Sequence, residues 1–157
     1  MVEIALSQDR VKDGMDYLVA LRGLGLDPEG LVWVRVEDRP QWVMLVVTSL
    51  YDAAGPFELT KLLFKACNSG LLPASIDPFD VDTYSPDQDL IRGIREALAT
   101  EPMEDMAEPA LKAPIRVGAV EIPVNGILAW CPISPASSST LMRRWNQLKC
   151  NLALVAA

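Results

Sequence analysis

A chain of 157 residues, half of them apolar and 22% charged, carries the core of one globular domain, and its longest apolar run, residues 42–47, is far short of the roughly 20 residues that cross a bilayer. It contains no histidine, which excludes Ser-His-Asp and Cys-His nucleophiles, imidazole proton transfer and histidine-ligated metal centres. The net charge of −7 is uneven: residues 77–108 hold ten acids against Arg92 and Arg95, a net of −8, whereas residues 109–157 carry a net of +4.

The first element expected is a short strand in which Val2, Ile4 and Leu6 alternate with Glu3 and Ala5. Ser7 then stands as N-cap of a helix running to about residue 22, with Val11, Met15, Leu18, Val19 and Arg22 on one side. Gly14 weakens this helix, and Gly23 and Gly25 end it.

From Leu31 the period becomes two. Val32, Val34 and Val36 point one way and Trp33, Arg35 and Glu37 the other, which describes a strand with one wetter face. After the turn at Asp38, Arg39 and Pro40, the run WVMLVVTSL has no alternation and reads as a central strand covered on both faces. The two form a hairpin.

Pro56 opens a helix to residue 69 whose buried stripe is Leu59, Leu62, Leu63, Ala66 and Cys67, with Gly70 just past its end. A strand over 79–84 with an acidic face follows, suited to a sheet edge. Ser85, Pro86 and Gln88 match a capping box, and Leu90, Ile91, Ile94, Ala97 and Leu98 supply the stripe of the helix it starts. Residues 100–114, with three prolines and four acids, read as an acidic surface connection. Asn125-Gly126 between VEIPV and ILAW signals a hairpin, with Pro123 at an edge or bulge. The last helix begins at 137–140, and Leu141, Trp145, Leu148, Leu152 and Val155 form its stripe, which can pack internally or on a second copy of the chain.

The expected fold is α+β (or α/β): a single domain over residues 1–157, with a mixed sheet of about five strands and about four helices, containing two hairpins and one β-α-β unit. In such a unit ligands bind beyond the carboxyl ends of the strands. There stand Thr48, Ser49, Tyr51 and Asp52 after one strand and Tyr84, Ser85 and Asp87 after the other. The same residues also serve as caps and turns, the commoner use of such positions. The loop DAAGP lacks the glycines and lysine of a phosphate-binding loop.

Asp77, Asp80, Asp82, Asp87 and Asp89 do not follow a calcium-loop pattern, because Tyr84 and Ser85 occupy the third-ligand and glycine positions. No metal and no cofactor is predicted. Cys67, Cys131 and Cys150 are odd in number without C-x-x-C spacing, so they read as reduced thiols rather than disulfides. The opening MVEIALSQDR has no basic flank or apolar stretch and does not read as a signal peptide, which makes the cytoplasm the expected compartment.

Function follows from what remains. The leading reading is a non-enzymatic cytoplasmic interaction or regulatory protein, using an acidic surface that includes Asp80 and Asp82, without nucleic-acid or membrane binding. A basic protein is the expected partner. A homodimer is also expected, with Trp33, Arg143, Arg144 and Trp145 as contact candidates. The alternative is a small-molecule binder or histidine-independent enzyme at the strand ends, with Asp52 or Asp87 as general base and Thr48, Ser49 or Ser85 positioning the ligand.

Overall fold

The computed structural model describes residues 6–100, 111, 113–131 and 137–156. Its elements in order are α1 (Gln8–Leu24), β1 (Gly30–Val36), β2 (Trp42–Val47), α2 (Leu50–Ala54), α3 (Pro56–Asn68), β3 (Val81–Tyr84), α4 (Asp89–Thr100), β4 (Ile115–Val117), β5 (Val120–Ile122), β6 (Ile127–Trp130) and α5 (Ser138–Ala156). A 3₁₀ turn at Pro78–Asp80 leads into β3. The architecture is α+β, as the pattern of elements predicts. The expected first strand, at residues 2–6, lies outside the described residues apart from Leu6, which is buried but not in a strand, and most of the 100–114 connection lies outside them as well.

The six strands form one mixed sheet in the order β3-β2-β1-β5-β4, with β6 also pairing β1. β1 and β2 form the expected antiparallel hairpin, with Trp33 opposite Met44. β2 and β3 run parallel, Met44 opposite Val81, and α2 and α3 make the crossover between them. Four-residue β3 ends the sheet on one side.

Alternation along β1 and β2 sends side chains into two cores. Leu31, Trp33, Met44 and Val46 meet α1, α2, α3 and α5 on one face. Val32, Val34, Val43, Leu45 and Val47 meet Ile91 and Ile94 of α4, together with Ile115 and Ile122, on the other. Each fully buried aliphatic side chain contributes about 1.5–3 kcal/mol. The expectation of a wetter face on β1 fails at Trp33, which is fully buried because α1 lies over it, whereas Arg35 is half-buried and Glu37 exposed.

That helix docks through a different face from the one predicted. Ser7 caps it as expected, accepting from the Arg10 N–H at 3.2 Å, and Gly25 closes it at φ 101°. The buried side holds Gly14, Tyr17, Leu18, Leu21 and Leu24, while Met15 and Val19 are 41% and 66% exposed. Gly14 is the cause. It brings the α1 backbone close enough for the Trp33 indole Nε1 to donate to the Arg10 carbonyl at 3.1 Å. Gly23 lies within the helix rather than ending it.

The second hairpin exists, but not at Asn125-Gly126. β4 and β5 pair across Gly118 and Ala119, with Val117 opposite Val120. β5 and β6 instead lie end to end along one edge of β1, Glu121 opposite Arg35 and Ile127 opposite Val32. The segment from Pro123 to Gly126 bulges out between them. Asn125 turns its side chain on Leu6, accepting from the Leu6 N–H at 3.1 Å and donating to the Leu6 carbonyl at 3.0 Å. Gly126 carries the ladder onward by accepting from the Trp33 N–H at 2.7 Å, and a Cβ on it would lie 2.6 Å from the Trp33 oxygen. An Asn-Gly pair favours chain reversal only when the flanking strands pair with each other. Here both prefer β1.

Candidate functional site

The crossover brings the ends of β2 and β3 side by side, and with them Asp52 and Ser85 of the predicted strand-end residues. Thr48 ends β2. Its N–H donates to the Tyr84 carbonyl at 3.0 Å, and its hydroxyl oxygen accepts from the Leu50 N–H at 3.2 Å, which starts α2. The Ser49 N–H donates to Glu29 Oε2 at 3.1 Å. Across the gap, the Ser85 hydroxyl donates to both carboxylate oxygens of Asp52, at 2.8 and 2.9 Å. The same hydroxyl oxygen accepts from the Asp87 N–H at 3.3 Å, and the Ser85 N–H donates to Gln88 Oε1 at 2.7 Å. Asp87 contributes only this backbone group to the cluster, and its side chain is exposed.

These bonds make a strap between α2 and the turn preceding α4. Thr48, Ser49 and Ser85 are buried, and among the described residues no buried side-chain polar atom lacks a partner. The Thr48 and Ser85 hydroxyls are thus used in closing their own turns. The predicted capping box is corrected: the Ser85 N–H does donate to Gln88, but α4 begins at Asp89 rather than Pro86, so Ser85 and Gln88 hold the turn before the helix instead of capping it. Asp52 faces solvent. Its carboxylate is taken up by the Ser85 hydroxyl. Nearby Tyr84 is half-buried: burial pushes its phenol up, Asp82 and Tyr51 add to that, and the Arg39 guanidinium opposes it. The phenol stays protonated.

Thr48 also borders a groove of about 410 Å³ whose other walls include Asp27, Glu29, Cys131, Leu141 and Arg144. Glu29 and Asp27 were not legible as site residues. Their only signal is the Asp-Pro-Glu between Gly25 and Gly30, which reads as a plain turn.

The aspartates at residues 77–82 are tied down by specific bonds. Asp77 caps the 3₁₀ turn by accepting from the Phe79 N–H at 2.9 Å. Arg39 reaches over from the β1–β2 turn, donating to Asp82 at 2.9 Å and to the Phe79 carbonyl at 2.9 Å, with Asp80 at 4.0 Å. Asp80 and Asp82 converge on a guanidinium. Among the described residues no group of three carboxylates or thiols is placed to hold a metal ion.

The turn held in this way presents Phe79, which is 75% exposed and packs edge-on to Phe64 of α3 at a centroid distance of 5.0 Å. Sequence reasoning assigned Phe79 to an alternating strand and missed it as a surface feature. The signal was its setting, Asp-Pro-Phe-Asp, which starts a turn more readily than a strand.

Trp33 is corrected as a partner candidate, and Trp145 as a contact for a second copy through the α5 stripe. Trp33 offers nothing to a partner, because it is fully buried with its indole N–H bonded inside the chain. Trp145 is 6% exposed, and with Leu141, Leu148 and Leu152 it packs into the core shared with α1 and α3. A homodimer through that stripe would have to uncover this core. Arg143 and Arg144 are exposed, as an interaction surface requires.

The fold and site thus define an α+β protein with a six-stranded mixed sheet covered on both faces, in which no described helix is long and apolar enough to cross a membrane. No protein-family profile, curated protein or solved structure matches the chain.

Proposed function

We propose that the chain is a non-enzymatic interaction protein of the cytoplasm that presents an acidic face centred on Phe79 to a basic partner. The observation that carries this reading is the three-quarters exposed Phe79 ring on a turn pinned by Arg39 and backed by Phe64. A large side chain ordered before binding loses little entropy when a partner covers it, which is how a few aromatic residues come to dominate an interface. Asp77, Asp80 and Asp82 against Arg39 leave this rim at a net of −2, and such a field selects and steers a cationic partner. Three free thiols, two of them exposed, suit a reducing compartment.

The test is titration of the full chain with a synthetic peptide that alternates lysine or arginine with leucine. Phe79→Ala is expected to weaken binding about tenfold or more. Asp77→Asn with Asp80→Asn should weaken it less and flatten its salt dependence. Unchanged affinity of the Phe79 variant would remove the basis of the reading.

The groove at Thr48 favours a second reading, a binder of a small polar molecule. Its volume of about 410 Å³ lies within the roughly 300–1,000 Å³ of ligand pockets, and Glu29 and Arg144 offer opposite charges at its walls. A thermal-shift screen with zwitterionic and anionic metabolites is expected to yield a stabilising compound whose effect is lost in Arg144→Ala. A screen with no Arg144-dependent response argues against it.

A further inference from the structure

The groove between α3 and α5 has a character unlike the rest of the molecule. Its rim carries Lys61, Lys65 and Lys149, all exposed, and its floor is the buried Leu62, Trp145 and Leu152. These are three of the five lysines in a chain of net charge −7. Glu58 is the one carboxylate among the described lining residues, which leaves the groove at a net of +2.

Two lysines are held over aromatic faces. Lys61 Nζ lies 6.0 Å from the Phe57 ring centroid and Lys149 Nζ 5.9 Å from that of Trp145. The Lys149 ammonium is thereby kept over the groove floor, and the Lys61 ammonium beside the groove, which limits the ordering cost of pairing them with an incoming carboxylate. Phe57, 73% exposed, extends the apolar surface beyond the groove.

Size decides between classes of occupant. The groove measures about 190 Å³, below the roughly 300–1,000 Å³ of a metabolite pocket. It holds about one large apolar side chain. A site that takes one apolar anchor between two helices, inside a ring of cations, fits an amphipathic helix laid along a groove.

From this we infer that the α3–α5 groove docks an acidic amphipathic helix of a partner protein, with an apolar anchor over Leu62, Trp145 and Leu152 and its glutamates or aspartates against Lys61, Lys65 and Lys149. The inference goes beyond the acidic-face reading and does not depend on it, since the two surfaces differ in residues and in the charge they select. Together they describe an adaptor that holds partners of opposite charge.

The experiment is titration of the isotope-labelled full chain, followed by NMR, with a synthetic helical peptide of about 15 residues carrying leucines on one face and glutamates beside them. Chemical-shift changes are expected to cluster on α3 and α5, including the Trp145 indole. Lys61→Glu with Lys65→Glu should raise the dissociation constant about tenfold, and the milder Lys61→Gln with Lys65→Gln should fall between that variant and the parent. Replacing the peptide's central leucine by alanine should weaken binding as well. Equal affinity for parent and both lysine variants, or shifts confined to the Phe79 turn, would overturn the inference. Vesicles of phosphatidylcholine and phosphatidylserine binding through the same lysines more tightly than the peptide would also overturn it, in favour of a lipid surface.

Discussion

Two glycines on one helix are expected to respond in opposite directions to the same substitution. Alanine is better than glycine in a helix interior by about 1 kcal/mol, so Gly23→Ala, whose added methyl meets nothing within 4 Å, should stabilise the protein by about 0.5–1 kcal/mol. Gly14→Ala starts with the same gain and then loses it. Its Cβ would lie 2.3 Å from Leu128 Cδ1 and 2.6 Å from Trp33 Nε1. Leu128 can rotate away, but Trp33 is fully buried and its Nε1 is held 3.1 Å from the Arg10 carbonyl. Overpacking of this kind costs about 1–3 kcal/mol. Displacing the indole from its acceptor while it stays buried costs about 1–3 kcal/mol more. The net is a loss of about 1–5 kcal/mol, since the helix gain offsets about 1 kcal/mol of it. Urea unfolding measures both variants, and the midpoints should move apart while the slopes stay constant. In thermal unfolding, each kcal/mol corresponds to about 2–4 °C at this chain length. A Gly14→Ala protein as stable as the parent would refute the account of how α1 docks.

Three further outcomes follow from the same geometry. Asn125→Ala removes both bonds to the Leu6 backbone, and should cost about 1–3 kcal/mol and speed hydrogen exchange at the Leu6 amide specifically; protection unchanged at Leu6 would contradict the bulge assignment. Burial, with Cys67 adding to it, pushes the Tyr17 phenol well above its ordinary value. The folded state therefore holds that proton more tightly than the unfolded chain, so its stabilisation is complete below about pH 10 and is lost as pH rises beyond, by up to about 1.4 kcal/mol per unit. Tyr17→Phe should show a shallower alkaline decline, and an identical decline would count against it. Arg39→Met removes the cation that opposes the upward shift of Tyr84, so its phenolate absorbance should appear at higher pH than in the parent.

Much of the architecture is legible where local signals and tertiary contacts agree. Ser7 and Pro56 act where their chemistry places them, and the unbroken apolar run at 42–47 does become the strand between β1 and β3. The misreadings share a cause. Trp33 beside Arg35 looks half-wet only if nothing covers that face, and what covers it is a helix brought close by a glycine that reads locally as a weak point. Asn125-Gly126 has the composition of a reversal, yet β1 offers both flanking segments partners 84 to 100 residues away in sequence, Val36 opposite Val120 and Gly30 opposite Trp130, beyond any local window. The heptad-like stripe of α5 carries no mark saying whether its own domain or a second copy will cover it. The site was legible only in part. Ser85 and Asp52 could be placed at adjacent strand ends from topology, but their mutual hydrogen bonds, which turn a candidate site into a strap, depend on side-chain geometry.

The most direct test of the acidic-face account is NMR titration of the labelled full chain with the basic leucine-containing peptide at low and at physiological salt. The account predicts saturable shifts centred on Phe79, Asp80 and Arg39, with binding weakened at the higher salt and weakened about tenfold or more in Phe79→Ala. Shifts centred elsewhere, or equal binding by the Phe79 variant, would contradict it.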